Sequence, residues 1–101
     1  MINAKKELED LLANNKLELF AADINLYEHC EKVARLRTGY SKDDYDDFLS
    51  DLNFYYDNGF GAQELYGYLW FKNGTWAERY EYDGAEIWRI KVMPTLPDYL
   101  K

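Results

Sequence analysis

The sequence is poor in cysteine, histidine and proline, with one Cys, one His and two Pro in 101 residues. A single cysteine excludes an intramolecular disulfide and fits a reducing compartment. His29 and Cys30 are adjacent, with no second imidazole or thiolate to join them, so the chain lacks the ligand set of a zinc site. The same two residues are the one candidate pair for nucleophilic catalysis. Sequence neighbours on a strand or turn point apart, so they read as an ordinary histidine and a small packed thiol. Basic residues are also scarce: 12 Lys and Arg stand against 19 Asp and Glu, a net charge of −7. That balance disfavours direct binding to nucleic-acid phosphates or an anionic membrane and favours a basic protein partner. No apolar run approaches the ~20 residues that span a bilayer. The opening segment MINAKKELED lacks the apolar stretch of a secretion signal. The expectation is a cytoplasmic monomer or small homo-oligomer with no metal, no cofactor and no membrane association.

Aromatic residues are abundant, at 18% of the chain, and hydrophobic residues reach 48%, enough to bury a core in one domain over 1–101. Asn3 is a helix cap, followed by Ala4, Leu8, Leu11 and Leu12 at helical spacing as far as Ala13, with Asn14-Asn15 as a stop. Leu17 to Tyr27 reads as a strand with apolar residues on both faces. It needs either two covered faces or a bulge near Phe20. A turn over 28–31 leads to a second strand, Val33 to Thr38, which carries Arg35 and Arg37. Ser41 then caps the clearest helix. Asp44 completes a capping box, and Tyr40 and Tyr45 are placed for a hydrophobic staple. Tyr45, Phe48, Leu49 and Leu52 form its apolar stripe; Asp43, Asp44, Asp46, Asp47 and Asp51 form its acidic face.

Residues 53–93 read as a continuous antiparallel β-meander. Asn73-Gly74 and Asp83-Gly84 are its turns, because both central residues of a type I′ turn need positive φ. Two-residue turns would set Leu69 opposite Glu78, Gly67 opposite Tyr80, Glu78 opposite Arg89 and Arg79 opposite Trp88. They would also set Glu81 opposite Glu86, a repulsive pair. This register puts Tyr66, Tyr68, Trp70, Arg79 and Trp88 on one sheet face. Leu65, Leu69, Phe71, Trp76, Tyr80, Tyr82 and Ile87 share the other. Pro94 and Pro97 end the last strand and start an extended tail. The order is α-β-β-α-β-β-β-β, an α+β domain with an antiparallel sheet and helices on one face.

No segment carries a catalytic signature. The glycines between Asp57 and Ala62 suggest a phosphate loop but lack the Lys-Ser/Thr that follows one, so they read as a turn. The helical aspartates lack the glycine and terminal glutamate of a calcium loop. Glu64, Glu78, Glu81 and Glu86 are the acids set among aromatics. With 19 acids in the chain, no pair stands out for acid–base work. The remaining feature is a binding surface. A Tyr/Trp/Arg patch has the composition of interface hot spots, and a row of aspartates can imitate phosphates. The partner-binding residues expected are Asp43, Asp44, Asp46, Asp47, Asp51 and Asp57, with Tyr66, Tyr68, Trp70, Arg79 and Trp88.

The segment YDNGFGAQELYGYLWFKNGTWAERYEYDGAEIW, preceded by the capped acidic helix and followed by the Pro-containing tail, resembles small acidic proteins of phages and prophages. The likeness covers about residues 40–97 and rests on Gly59, Gly61, Gly67, Trp70, Trp76, Arg79, Trp88 and their neighbours. It implies an anti-defence setting in the host cytoplasm: a non-enzymatic inhibitor of the anti-CRISPR or anti-restriction kind. Such a protein would block the nucleic-acid-binding surface of a host defence complex or nuclease. Two other readings stand beside it. One is an immunity- or antitoxin-like inhibitor of a nuclease; the other is a small-molecule-binding domain using Glu64, Arg79 and Trp88.

Overall fold

Alternating apolar residues dominate the second half of the chain and set up a sheet with one face to bury. The computed structural model describes residues 1–26, 33–57, 63–82 and 85–100. Its elements are β1 (Ile2–Asn3), α1 (Ala4–Asn15), β2 (Leu19–Leu26), β3 (Val33–Leu36), α2 (Lys42–Asp51), β4 (Tyr55–Tyr56), β5 (Leu65–Phe71), β6 (Trp76–Tyr82) and β7 (Ala85–Lys91). A 3-10 turn at Asp98–Leu100 lies in the tail. The main sheet is antiparallel, in the order β3-β2-β5-β6-β7, and β1 pairs with β4 in a separate ribbon. The architecture is α+β, as the residue pattern implies. One expected strand moves: the 53–56 segment leaves the meander and pairs with β1 as the ribbon. The turn at 28–31, His29, Cys30, the glycine loop over 58–62 and Asp83-Gly84 lie outside the described residues.

Both helix starts are encoded locally. Asn3 Oδ1 accepts from the Lys6 N–H at 3.0 Å, and α1 closes at Lys16 in the left-handed conformation (φ 52°). Ser41 and Asp44 form the reciprocal capping box, and Tyr40 and Tyr45 stack with ring centroids 5.6 Å apart. Ala4 and Leu8 of α1 and Phe48 and Leu52 of α2 are buried with Leu19, Ala22, Ile24, Leu36, Leu65, Leu69 and Phe71 in one core. Each large side chain buried there contributes about 1.5–3 kcal/mol.

Two backbone irregularities decide which side chains face that core. The β2–β5 register shifts between Leu19 and Ala21, so Phe20 is the extra residue of a bulge and points outward. A bulge near Phe20 is one of the two arrangements that the two-faced apolar pattern left open. The second irregularity corrects the first hairpin. β5 and β6 pair Tyr68 with Glu78, Leu69 with Ala77 and Trp70 with Trp76, one residue away from the two-residue-turn register. The loop takes three residues, Lys72, Asn73 and Gly74. The Phe71 carbonyl accepts from the Gly74 N–H at 3.1 Å, and the Phe71 N–H donates to the Thr75 carbonyl at 3.0 Å. Asn73 Oδ1 accepts from the Thr75 N–H at 3.0 Å and the Thr75 hydroxyl at 2.6 Å, which holds Thr75 at the loop's end. Gly74 takes φ +88° there, the glycine position of a three-residue hairpin. A slip of one residue moves every side chain of a strand to the other face. The second hairpin keeps the two-residue register, with Tyr82 opposite Ala85, Arg79 opposite Trp88 and Glu78 opposite Arg89.

Candidate functional site

The corrected register redistributes the aromatics. Tyr66, Tyr68 and Trp70 alternate along β5 away from the helices and are each about two-fifths to one-half exposed. Trp76 lies opposite Trp70 and joins them, as does Tyr80 farther along β6. Phe20 reaches the same face through the β2 bulge. Tyr68 is the centre of this surface, with ring centroids 6.1 Å from Trp70 and 6.4 Å from Trp76. The rings are tilted by 37° and 38°, so they form a contiguous rather than a stacked surface. Cations frame it. Lys91 Nζ lies 5.5 Å from the Trp76 ring centre and pairs with Glu78 at 2.6 Å. Arg89 lies 4.6 Å from the Tyr80 ring, and Arg35 pairs with Asp23 at 3.1 Å. The opposed pair Glu78–Arg89 therefore makes its charge contacts elsewhere: Glu78 with Lys91, and Arg89 with an aromatic ring.

Arg79 and Trp88, expected on this surface, are buried on the helix-covered face instead. The one-residue shift at the first hairpin carries β6 and β7 with it, so these two side chains turn inward. There Arg79 organises a buried charge network. Its Nε donates to Glu86 Oε1 at 2.9 Å, its Nη1 donates to Glu7 Oε1 at 3.1 Å, and its Nη2 donates to the Tyr56 hydroxyl. The guanidinium also lies 5.4 Å from the Tyr56 ring centre and 5.2 Å from that of Trp88. The Tyr56 hydroxyl donates to Glu7. Burial drives the Tyr56 pKa well above its ordinary value, and the Glu7 carboxylate adds to the rise against the opposing pull of Arg79.

Glu86 has a second task. Its carboxylate accepts from the Glu64 N–H at 2.8 Å and the Leu65 N–H at 3.1 Å, at the start of β5. The repulsion expected between Glu81 and Glu86 is thus answered for Glu86 by one guanidinium and two backbone donors. Glu64 in turn accepts from the Asp57 N–H at 3.1 Å. The residues proposed for a small ligand are therefore engaged in holding β4, β5, β6 and α1 together. The Trp88 indole Nε1 is buried with no hydrogen-bond acceptor among the described residues.

The acidic residues are separate from the aromatic surface. Asp43, Asp44, Asp46, Asp47 and Asp51 are exposed on α2, whose apolar stripe packs on the inner side of the sheet. Asp44 is committed to the capping box, and Asp46 pairs with Lys42 at 2.8 Å. Asp44, Asp47 and Asp51 face Arg35 and Arg37 across a shallow cleft of about 290 Å³. Asp57 lies apart from α2, beside Glu64. The acidic helix and the aromatic patch thus belong to opposite sides of the sheet. Phe20 and Trp76 complete the surface and were missed from the sequence. The signal for Trp76 was Asn73 two residues before Thr75, a side chain able to cap a longer loop.

Among the described residues, no group of three or more His, Cys, Asp or Glu is placed to hold a metal ion. No helix among them is long and apolar enough to cross a membrane. Comparison with protein-family models, with curated proteins and with solved structures found no match.

Proposed function

We propose that this protein is a non-enzymatic inhibitor of the phage type. It docks on a host defence complex of the CRISPR or restriction kind and covers a nucleic-acid-binding surface. The observation that carries the reading is the uncovered aromatic face of Phe20, Tyr66, Tyr68, Trp70 and Trp76. Large contiguous aromatic surface left open on a small domain is the composition of an interface centre. The net charge of −7 favours a basic partner and faster encounter with it.

The two features divide the work by position. The sheet face supplies the anchors in contact. The α2 aspartates, on the far side of the sheet, act through the field they add. An immunity-type inhibitor of a nuclease has the same requirements and differs only in partner. The test is capture of partners by the tagged protein from a host lysate carrying CRISPR and restriction systems, at low and high salt. It is run with wild type and with a Tyr68→Ala/Trp70→Ala variant. One stoichiometric nucleic-acid-binding complex held by wild type and lost by the variant supports the proposal. A single small nuclease held in the same way supports the immunity reading. No partner at either salt overturns both.

A further inference from the structure

The sheet separates charge by side. One row of directly opposed side chains crosses the aromatic face: Arg35, Asp23, Tyr68, Glu78 and Arg89. A second row runs from Trp70 through Trp76 to Lys91. Among the described strand residues this face therefore holds three cations, Arg35, Arg89 and Lys91, against two carboxylates, Asp23 and Glu78. Both carboxylates are engaged, Asp23 with Arg35 at 3.1 Å and Glu78 with Lys91 at 2.6 Å. Arg89 is left over the Tyr80 ring, 4.6 Å from its centre. The aromatic face thus carries surplus positive charge on a chain whose net charge is −7. The free acids of α2 lie beyond the sheet. Asp43, Asp47 and Asp51 are exposed there, and none of them is ion-paired within the described residues.

This segregation sets how the molecule meets a partner. A basic surface laid on the aromatic face would bring like charges together with no free carboxylate to receive them. The face fits an apolar surface that presents carboxylates to Arg89 and Lys91. With that contact made, α2 stands on the far side of the sheet. The Debye length at physiological ionic strength is about 8 Å, so the α2 aspartates act on whatever passes that side, above all on a polyanion. We infer that the docked protein excludes nucleic acid by this outward negative field. It seats on an apolar, carboxylate-bearing margin of the nucleic-acid path, and its aspartates repel the strand instead of occupying the path as phosphate mimics. The mechanism rests on the docking function proposed above and narrows it to one kind of contact surface and one cause of exclusion.

Two measurements test it. Oligolysine titrated into the isotope-labelled free chain at low salt should shift the amide resonances of α2 and spare those of Tyr66–Trp70. Shifts centred on β5, or none at all, overturn the mechanism. The second measurement uses the captured complex, loaded with wild type or with Asp43→Asn/Asp47→Asn/Asp51→Asn and challenged with fluorescent duplex DNA. The three positions are exposed, and the capping Asp44 and the paired Asp46 are left intact. The variant should leave the complex at the wild-type rate, yet DNA association should recover by about tenfold, the scale of electrostatic steering. A variant that dissociates faster places the aspartates in the contact and overturns the mechanism. A variant that excludes DNA as fully as wild type assigns exclusion to bulk alone, and equally overturns it. A chain that captures no complex, or holds one equally well after Tyr68→Ala/Trp70→Ala, fails the docking function itself, and this mechanism with it.

Discussion

At the scale of single residues the molecule's most consequential interactions centre on Arg79. Its side chain is 1% exposed, and that of its partner Glu86 is 2% exposed. Such a pair is weak evidence of net stabilisation, because desolvation offsets the attraction. Removing one partner is different: it strands a buried charge. Glu86→Ala should cost about 3–5 kcal/mol, since it also removes the acceptor of the Glu64 and Leu65 N–H groups. Urea unfolding checks this, and a loss below about 1 kcal/mol would mean that water or Glu7 replaces the carboxylate. Tyr56 gives a pH signature. Its pKa is raised in the fold, so its contribution is complete below about pH 10, the unfolded value. That contribution is lost as pH rises through the folded pKa. Tyr56→Phe should be less stable by about 1–3 kcal/mol at pH 7. The gap to wild type should narrow between about pH 10 and 11, because only wild type gains from ionising when unfolded. A constant gap would exclude the assignment.

At the scale of elements, close backbone approach and loop chemistry govern the sheet. Gly67 sits at φ +149°, where a Cβ would lie 2.2 Å from the Asp23 carbonyl oxygen and 2.9 Å from Ile24 Cα. Both are backbone atoms of the paired strand β2, so relief requires β2 and β5 to part. Gly67→Ala should therefore destabilise by at least about 2 kcal/mol, read by thermal unfolding; an unchanged melting temperature would show that the strands adjust freely. The glycine was expected beneath Tyr80. The β5–β6 register is one residue away from that pairing, and the glycine is required on its other side, where Ile24 of β2 pairs with it at close approach. The α2 capping box predicts a smaller effect: Ser41→Ala should cost about 1 kcal/mol.

At the scale of the whole molecule, charge and aromatic surface occupy different sides. Charge reversal on α2 should then change association rate more than contact energy. Asp43 and Asp47 are the residues to reverse, since Asp44 also holds the capping box and its loss would confound the result. With the captured partner in hand, Asp43→Lys/Asp47→Lys should slow association and flatten its salt dependence, with little change in dissociation rate. Stopped-flow or surface kinetics decides, and an unchanged on-rate would remove the aspartates from the interaction. Trp70→Ala should act oppositely, raising the dissociation rate by the equivalent of about 2 kcal/mol or more.

What the sequence by itself determined is what depends on neighbours along the chain. The caps at Asn3 and Ser41, the Tyr40–Tyr45 staple, the α2 stripe and the register of the β6–β7 hairpin are all of this kind. Each follows from spacing and local hydrogen bonding within a few residues. Tertiary structure decided what depends on a distant strand. The choice between a bulge at Phe20 and two covered faces fell to the pairing of β2 with β5. Residues 55–56 left the meander because Ile2–Asn3 offered them a partner. The Lys72–Gly74 loop is itself held locally, by the Asn73 side chain on Thr75, but its consequence is tertiary: the extra residue reversed which β6 and β7 side chains meet the core beneath the helices. Strand faces alternate with period two, so an error of one residue in a loop is an error in every side chain beyond it. That is why Arg79 and Trp88 looked like surface residues in the sequence and prove to be interior ones. For the same reason Trp76, assigned to the core by its turn, stands on the exposed face.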